Sequence, residues 1–475
     1  MSLPPAERGL RGRLLVDASL LADEGRLLSD VSIAGLPLLS RQLRCLRDAG
    51  IDAIDVTGEA ADLDVLRRAL ARLPRAEVRG ARVTAATRVD AEDAEDASDT
   101  LTLPAGLIID PRALRQAIQL FGARDRTVIV VDRFADNYPA SAKSPFIVGA
   151  PGGQDGRTVE SSEASEASKA FDALGRETLT PIGITLQRCA TAGDGGSDAG
   201  AAVLLDVGRY AWHRVRSTAD AREATWKVLL STIKPTDGMY ARTNRRVSLR
   251  ISRLLLPTSV TPNQVTLFTL VCSGIAGAVM AGGSYLSFVA GGFLTWFASM
   301  LDGVDGELAR AKFEATELGH WLEMACDYAF YLAVVSGYGV GFYRASGSPV
   351  WLQLALAGLV GVVLSFAAVA YNKRDYARRE PDGEYYVAFQ RTTSAHASNP
   401  VHLFTRYCTF LVSRGAFPYF ITAFAVLGLS KLMFLMVLVG THLSWMLTLY
   451  AGRLKPSLTP TAPAAPVRAR PAAEA

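Results

Sequence analysis

The run LDGVDGELARAKFEATELGHWLEMACDYAFY, residues 301–331, carries Asp302, Asp305, Glu323 and Asp327 inside the most apolar half of a 475-residue chain. Burying even one unpaired charge among apolar segments is expensive, so acids in such a place point to function. Asp302 and Asp305 are three apart and share a helix face. Gly319, Glu323 and Asp327 repeat every four residues and form a second stripe. Two helices can therefore turn two carboxylates each toward one cleft. Left alone, the four anions would repel one another. Divalent cations remove that conflict, and carboxylate oxygens suit Mg²⁺ or Mn²⁺ shared with phosphate oxygens. The chemistry implied is metal-assisted attack on a phosphate or diphosphate. Gly306, Ala309 and Gly319 leave room beside the acids for a ligand to approach the backbone. Arg310 can neutralise a phosphate.

The elements that must position these groups come in two kinds. From about residue 12 to 230, short apolar strand candidates alternate with amphipathic helix candidates. GLPLLSRQLRCLRDAGIDAIDVTG reads as helix then strand, GLIIDPRALRQAIQLF as strand, turn and helix, and RTVIVVD and AAVLLDV as buried strands. Acidic or Gly/Ser-rich stretches between them read as loops. From about residue 262 six apolar segments follow, at roughly 263–282, 285–301, 319–342, 350–371, 407–429 and 431–450. Each approaches the roughly 20 residues that cross a bilayer. The expected fold class is a soluble α/β domain (1–230), then a juxtamembrane amphipathic helix (234–258). An all-α membrane domain of six transmembrane helices (259–452) follows, and then a Pro/Ala-rich disordered tail (453–475).

Lys and Arg cluster before the first span and after the second, fourth and sixth. The positive-inside rule then puts both termini in the cytoplasm and the four acids near the inner face. The juxtamembrane stretch, rich in arginine, is expected to lie along the inner leaflet. Net charge is +4, with no basic run interleaved with aromatics, so no nucleic-acid partner is expected. Five scattered cysteines give neither a disulfide framework nor zinc spacing.

The spacing D302-G-x-D305-G306-x-x-A309-R310, eight residues, G319-x-x-x-E323-x-x-x-D327 resembles the signature of the CDP-alcohol phosphatidyltransferase family. Seven of the eight signature positions match, and every spacing is kept. The resemblance covers residues 234–452, and VTPNQVT at 260–266 is also similar. It implies that Asp302, Asp305, Glu323 and Asp327 hold two divalent ions. It implies that Asp302, Gly306, Ala309, Arg310 and Gly319, with Thr261 and Asn263, receive the CDP moiety. Asp327 becomes the general base that deprotonates an acceptor hydroxyl, and CMP leaves. The donor would be CDP-diacylglycerol or a soluble CDP-alcohol, the acceptor a polyol or polyol phosphate, and the assembly a homodimer. Lys373 and Arg374 after the fourth span could bind an acceptor phosphate, although ordinary positive-inside charge also accounts for them. The departure is Glu323, where the family has Asp. A displaced metal would leave a catalytically weak scaffold.

The order of elements in the first half resembles a sugar-nucleotide nucleotidyltransferase. Its fusion to the membrane half is similar to bifunctional inositol-phosphate cytidylyltransferase and di-inositol-phosphate phosphate synthase proteins. Asp110 falls where that family ends a strand in a metal-binding Asp. The opening VDASLLADEGRL, residues 16–27, lacks a Gly-rich phosphate cradle. A degenerate domain is therefore expected, and a bifunctional enzyme with cytidylyltransferase activity is the alternative.

Overall fold

A computed structural model describes residues 11–15, 30–58, 63–74, 78–85, 100–104, 106–124, 128–132, 157–159, 180–187, 202–206, 212–215, 218–233, 239–379 and 415–453. Residues 16–27, on which the missing phosphate cradle rests, and the tail beyond 453 lie outside them.

The first half is α/β. Strands β1 (Arg11–Leu15), β4 (Ile54–Gly58), β5 (Ala81–Ala85), β6 (Thr100–Pro104), β8 (Val128–Asp132), β9 (Arg157–Val159), β10 (Thr180–Gln187) and β11 (Ala202–Asp206) form one sheet. Its order is β5-β4-β1-β6-β10-β8-β11-β9. The pairs β5–β4, β4–β1 and β1–β6 are parallel, while β10 runs antiparallel to both neighbours. Parallel neighbours need helical crossovers, and α1 (Leu38–Asp48), α2 (Leu63–Ala71) and α3 (Pro111–Arg124) lie between the strands in sequence. Leu14, Val56 and Leu103 stand side by side in register and are fully buried. Leu43 and Leu46 of α1 and Leu114 and Ile118 of α3 close the core over them. The chain leaves β1 toward β4 on one side and β6 on the other. Open α/β sheets bind ligands beyond the carboxyl ends of the strands at such a switch point.

Two small sheets lie outside the main one. β2 (Ser32–Ile33) and β3 (Leu36–Pro37) make a hairpin whose tip, Ala34–Gly35, has positive φ at both residues (50° and 81°). That is the geometry a tight two-residue hairpin demands. β7 (Leu107–Ile109) pairs with β12 (Trp212–Arg214), and α4 (Thr218–Ser231) packs over them.

The second half is helical: α5 (Met239–Leu255), α6 (Pro262–Met280), α7 (Tyr285–Lys312), α8 (Glu317–Ser346), α9 (Val350–Arg379), α10 (Phe417–Val426) and α11 (Ser430–Arg453). Among the described residues, four helices are long and apolar enough to cross a membrane: α6, α7, and the stretches Val350–Tyr376 of α9 and Ser430–Tyr450 of α11. Helix α8 has 30 residues, enough length, but its carboxylates, glycines and tyrosines lower its apolarity. The expected segment at 407–429 is described only from residue 415, where α10 is a short apolar helix of 10 residues. Helix α6 packs against both α7 and α8. The second crossing is close: a Cβ on Gly277 would lie 2.5 Å from the carbonyl of Ala333, and one on Gly337 would lie 2.5 Å from that of Gly277. Aromatic side chains of α7, α8, α10 and α11, among them Phe288, Phe330, Tyr338, Phe417 and Phe434, fill the core beyond.

The two halves share a core. Ala34 of the hairpin, Leu229, Leu230 and Ile233 around the end of α4, Leu249 of α5, Val265 of α6, and Val304, Leu308 and Ala311 of α7 form one buried cluster.

Candidate active site

Helix α7 has 28 residues, about 42 Å at 1.5 Å per residue, against a hydrocarbon core of roughly 30 Å. Counted from its start at Tyr285, the hydrocarbon is used up after about 20 residues. Asp305 and Arg310 therefore fall beyond that length, and Asp302, the 18th residue, falls at its edge. The short turn after α7 returns the chain as α8, with Thr316 as N-cap accepting a hydrogen bond from the amide of Gly319 at 3.0 Å. That cap puts Gly319, Glu323 and Asp327 on the first turns of α8, level with the end of α7.

Asp305 is buried, at 4% exposure. Its Oδ2 accepts from the Thr266 hydroxyl of α6 at 2.6 Å, and its Oδ1 from the amide of Gly306 at 2.6 Å. Asp302 on α7 and Glu323 on α8 both lie within electrostatic range of it. Two of the other three expected acids, Asp302 and Glu323, therefore lie near Asp305, with α6 behind it. Asp327 lies one turn deeper on α8 and is half-buried. Glu323 is 3.7 Å from Nδ1 of His320.

A Cβ on Gly306 would lie 3.1 Å from the Arg310 guanidinium, so Arg310 passes directly over that glycine. Its Nε donates to the carbonyl of Thr232 at 3.0 Å, which anchors it to the first half of the chain. A Cβ on Gly319 would lie 3.1 Å from Oδ1 of Asn263, so Asn263 meets the start of α8. Thr261 forms a reciprocal capping box with Gln264 at the head of α6; its hydroxyl is used as a cap. Ala309 lies between Asp305 and the end of α7. Lys373 and Arg374 come to α8 from α9: Nζ of Lys373 lies 4.6 Å from the Trp321 ring centroid, and the Arg374 guanidinium 5.6 Å from it. Arg391 and Arg406, further cations of the chain, lie outside the described residues.

Does this donor set suit divalent cations? Chemically it does: carboxylate oxygens from facing helices, gathered closely enough to repel, are what hard cations neutralise. Geometrically it is open. Among the described residues, no group of three His, Cys, Asp or Glu side chains is drawn into a ready coordination sphere.

One acid escaped the motif reading. Glu307, an unassigned position in the signature, is fully buried. It accepts from Arg245 at 2.8 Å, Ser248 at 2.6 Å and Ser252 at 2.5 Å, all on α5. Arg245 also donates to the carbonyl of Gly303. Nearby, Asn244 of α5 donates to Ser299 and accepts from Tyr419 of α10. The inner face of α5 is therefore polar and grips α7, while Arg242, Arg246, Arg250 and Arg253 are exposed on its other side. The signal available in the sequence was the i, i+3, i+7 stripe Arg245, Ser248, Ser252, which has nothing apolar to offer a membrane.

In the α/β half, Asp110 follows β7 outside the main sheet. Its carboxylate caps the amide of Arg112 at 2.8 Å and pairs with the guanidinium of the same residue at 2.8 Å.

Residues 259–390 match the family model described as CDP-alcohol phosphatidyltransferase. The protein named bifunctional IPC transferase and DIPP synthase of Aquifex aeolicus is 31% identical over 247 residues, 52% of this chain and 51% of its own length. That stretch is longer than the chain from residue 259 onward, so the similarity reaches into the α/β half. A protein of the same name from Thermococcus kodakarensis is 33% identical over 158 residues, 32% of this chain and 34% of its own. The phosphatidylinositol phosphate synthase of Mycobacteroides abscessus is 31% identical over 149 residues, 31% of this chain and 63% of its own. The matched part of this chain spans about half the length of the Aquifex relative and about a third of the Thermococcus one. Four apolar helices together with the family match identify an integral membrane protein.

Proposed function

We propose that this protein transfers a phosphoalcohol group from a CDP-alcohol to an acceptor hydroxyl, releasing CMP. The observation that carries the reading is the gathering of Asp302 and Glu323 around buried Asp305, within a motif whose every spacing is kept. In this reading Asp302, Asp305, Glu323 and Asp327 would hold divalent cations, Mg²⁺ or Mn²⁺. Bound there, the cations would supply charge neutralisation for the diphosphate of the donor. The protein's own groups do the rest. Gly306, Ala309 and Gly319 leave the backbone open to the nucleotide, Arg310 faces its phosphates, and Asn263 and Thr261 border it. Thr266 holds Asp305 in one orientation by hydrogen bond. Asp327 takes the proton from the acceptor hydroxyl. The acceptor oxygen then forms a bond to the phosphorus bearing the donor alcohol. The phosphoanhydride bond breaks, and its electron pair leaves with CMP. Lys373 and Arg374, gathered at Trp321, would receive a phosphate on the acceptor.

The same reading has six spans, α8 and the region of α10 completing the set, both termini in the cytoplasm, and a homodimer. The test uses the full chain in lipid with Mg²⁺ or Mn²⁺, CDP-diacylglycerol or soluble CDP-alcohols, and a panel of polyols and polyol phosphates. CMP release that stops with a chelator and in Asp327→Asn is expected. A wild-type protein silent with every donor would leave a membrane scaffold in its place.

A second reading adds cytidylyltransferase activity in the α/β half. It is favoured by the parallel run β4-β1-β6, which has a topological switch point between β1 and β6, and by the similarity to relatives whose names carry two activities. Against Asp110 as a metal ligand stands its engagement by Arg112. Consumption of CTP by the full chain would support this reading.

A further inference from the structure

The C-terminal turn of α7 is held from the α/β half by two arginines of α1. Arg41 is buried, at 4% exposure. Its Nε and one terminal nitrogen donate to the carbonyls of Ile33 (3.0 Å) and Ala34 (3.2 Å) in the hairpin, and that same nitrogen donates to the carbonyl of Ala311 (2.6 Å) in α7. Arg44 donates to the carbonyl of Lys312 at 2.6 Å. These are carbonyls that a helix end leaves without intrahelical donors, and cations there also meet the negative end of the helix dipole. The next residue, Phe313, has a left-handed backbone (φ 57°), uncommon for a bulky side chain. The Arg41 guanidinium lies 5.5 Å from its ring centroid. Gly35 at the hairpin tip sits so close to the chain just past α5 that a Cβ there would run into the carbonyl of Leu256. Burial pulls the Arg41 pKa down to about 10, so it keeps its charge at neutral pH in a dry place. Packing alone would not call for a guanidinium here; main-chain carbonyls from both halves do.

We infer that the α/β half is the end-clamp of α7: Arg41 and Arg44 lock the helix that carries Asp302 and Asp305, and Arg41 is a positioning residue for the membrane reaction. Ala311 lies six residues beyond Asp305, about 9 Å along a rigid helix. Movement at the clamp is therefore delivered to the carboxylates, where misplacement by about 1 Å costs on the order of a hundredfold. The catalytic half of this inference rests on the transferase reading above; the clamp does not.

The experiment is amide hydrogen exchange of the full chain in lipid, wild type beside Arg41→Ala, Arg41→Lys and Arg44→Ala, with CMP release measured on the same samples. In Arg41→Ala the amides of residues 311–314 should exchange at least about tenfold faster, while Leu43–Val56 keep their protection. The kcat should fall roughly ten- to a hundredfold, with the donor KM little changed. Lysine keeps the charge but lacks the fork, so Arg41→Lys should fall between. Unchanged exchange at 311–314 would overturn the clamp. Equal loosening across α1 and β4 would make Arg41 a residue of the α/β fold only. Loosening without loss of turnover would sever the clamp from the carboxylates. If the wild type turns over no donor, the transferase reading fails alone, and exchange still decides the clamp.

Discussion

Asp305 and Glu307 stand two residues apart on α7, both buried, and their surroundings are opposite in kind. Glu307 faces α5 and receives a guanidinium and two hydroxyls. Its charge is matched and its acceptor capacity used. Asp305 faces α6 and α8 and receives one hydroxyl and one amide, with two further carboxylates in range. A helix that only needed to pack would not hold acids in that second state. The completed site holds the molecule together, and in the transferase reading the site crowded with like charge is the one that would take a ligand of opposite charge.

Substitution should separate the two. Asp305→Asn removes a charge from a crowded cluster, so thermal stability should hold or rise. CMP release should fall on the order of a thousandfold, because a mis-set reacting centre forfeits most of its orientation. Turnover near wild type in Asp305→Asn would erase the comparison. Glu307→Gln should do the reverse. It leaves Arg245, whose side chain is 13% exposed, without its counter-charge, a loss of about 3 kcal/mol or more for a buried pair. The melting temperature should drop clearly, and turnover per folded molecule should drop less. Replacing both members by apolar side chains (Arg245→Met with Glu307→Leu) should recover much of that stability. A double variant no better than the single would mean that Ser248 and Ser252 depend on the carboxylate themselves.

Glu323 sharpens the comparison on the crowded side. It stands where the resemblance leads one to expect Asp, one methylene shorter. Its neighbours His320 and Asp305 are placed around the longer side chain. Glu323→Asp should therefore lower turnover by about tenfold, measured as CMP release at saturating divalent cation. A gain instead would mark Glu323 as a decayed position.

Local spacing made one side of this contrast legible in the sequence and hid the other. The four motif acids declare themselves because each pair lies within one or two helical turns, and the period survives folding. The helix and strand expected at 35–58 form as α1 and β4, and the apolar runs at 126–132 and 201–207 form as β8 and β11. What could not be read is what pairs across distance. Arg245 meets Glu307 from 62 positions away and Arg41 meets Ala311 from 270, and no period links them. Asp110 was legible as an acid after a strand, but its pairing with Arg112 depends on a helix cap that the motif does not encode.

The α/β half offers the same contrast on a smaller scale. Asp110 is the completed group there, and His213 of β12 is the incomplete one. Nδ1 of His213 lies 2.9 Å from Nζ of Lys227, which must donate to it, while its buried Nε2 has no hydrogen-bond partner. A proton added to the ring would face burial and an ammonium, and His213 has its pKa lowered from the usual 6.5 first by burial and then by Lys227, against weaker help from Glu223 and Asp220. The sign follows from linkage. Below the unfolded pKa the unfolded chain binds a proton that the folded chain refuses, so stability falls as pH falls through about 6.5 toward the lowered folded value. Unfolding of the α/β half should therefore occur at lower temperature at pH 5.5 than at pH 7.5, and His213→Gln, which cannot titrate, should narrow that gap. The effect is the smallest of the set, because one partly buried imidazole shares the acid range with many carboxylates. An unchanged gap in His213→Gln would assign the acid loss to those carboxylates and remove His213 from the comparison.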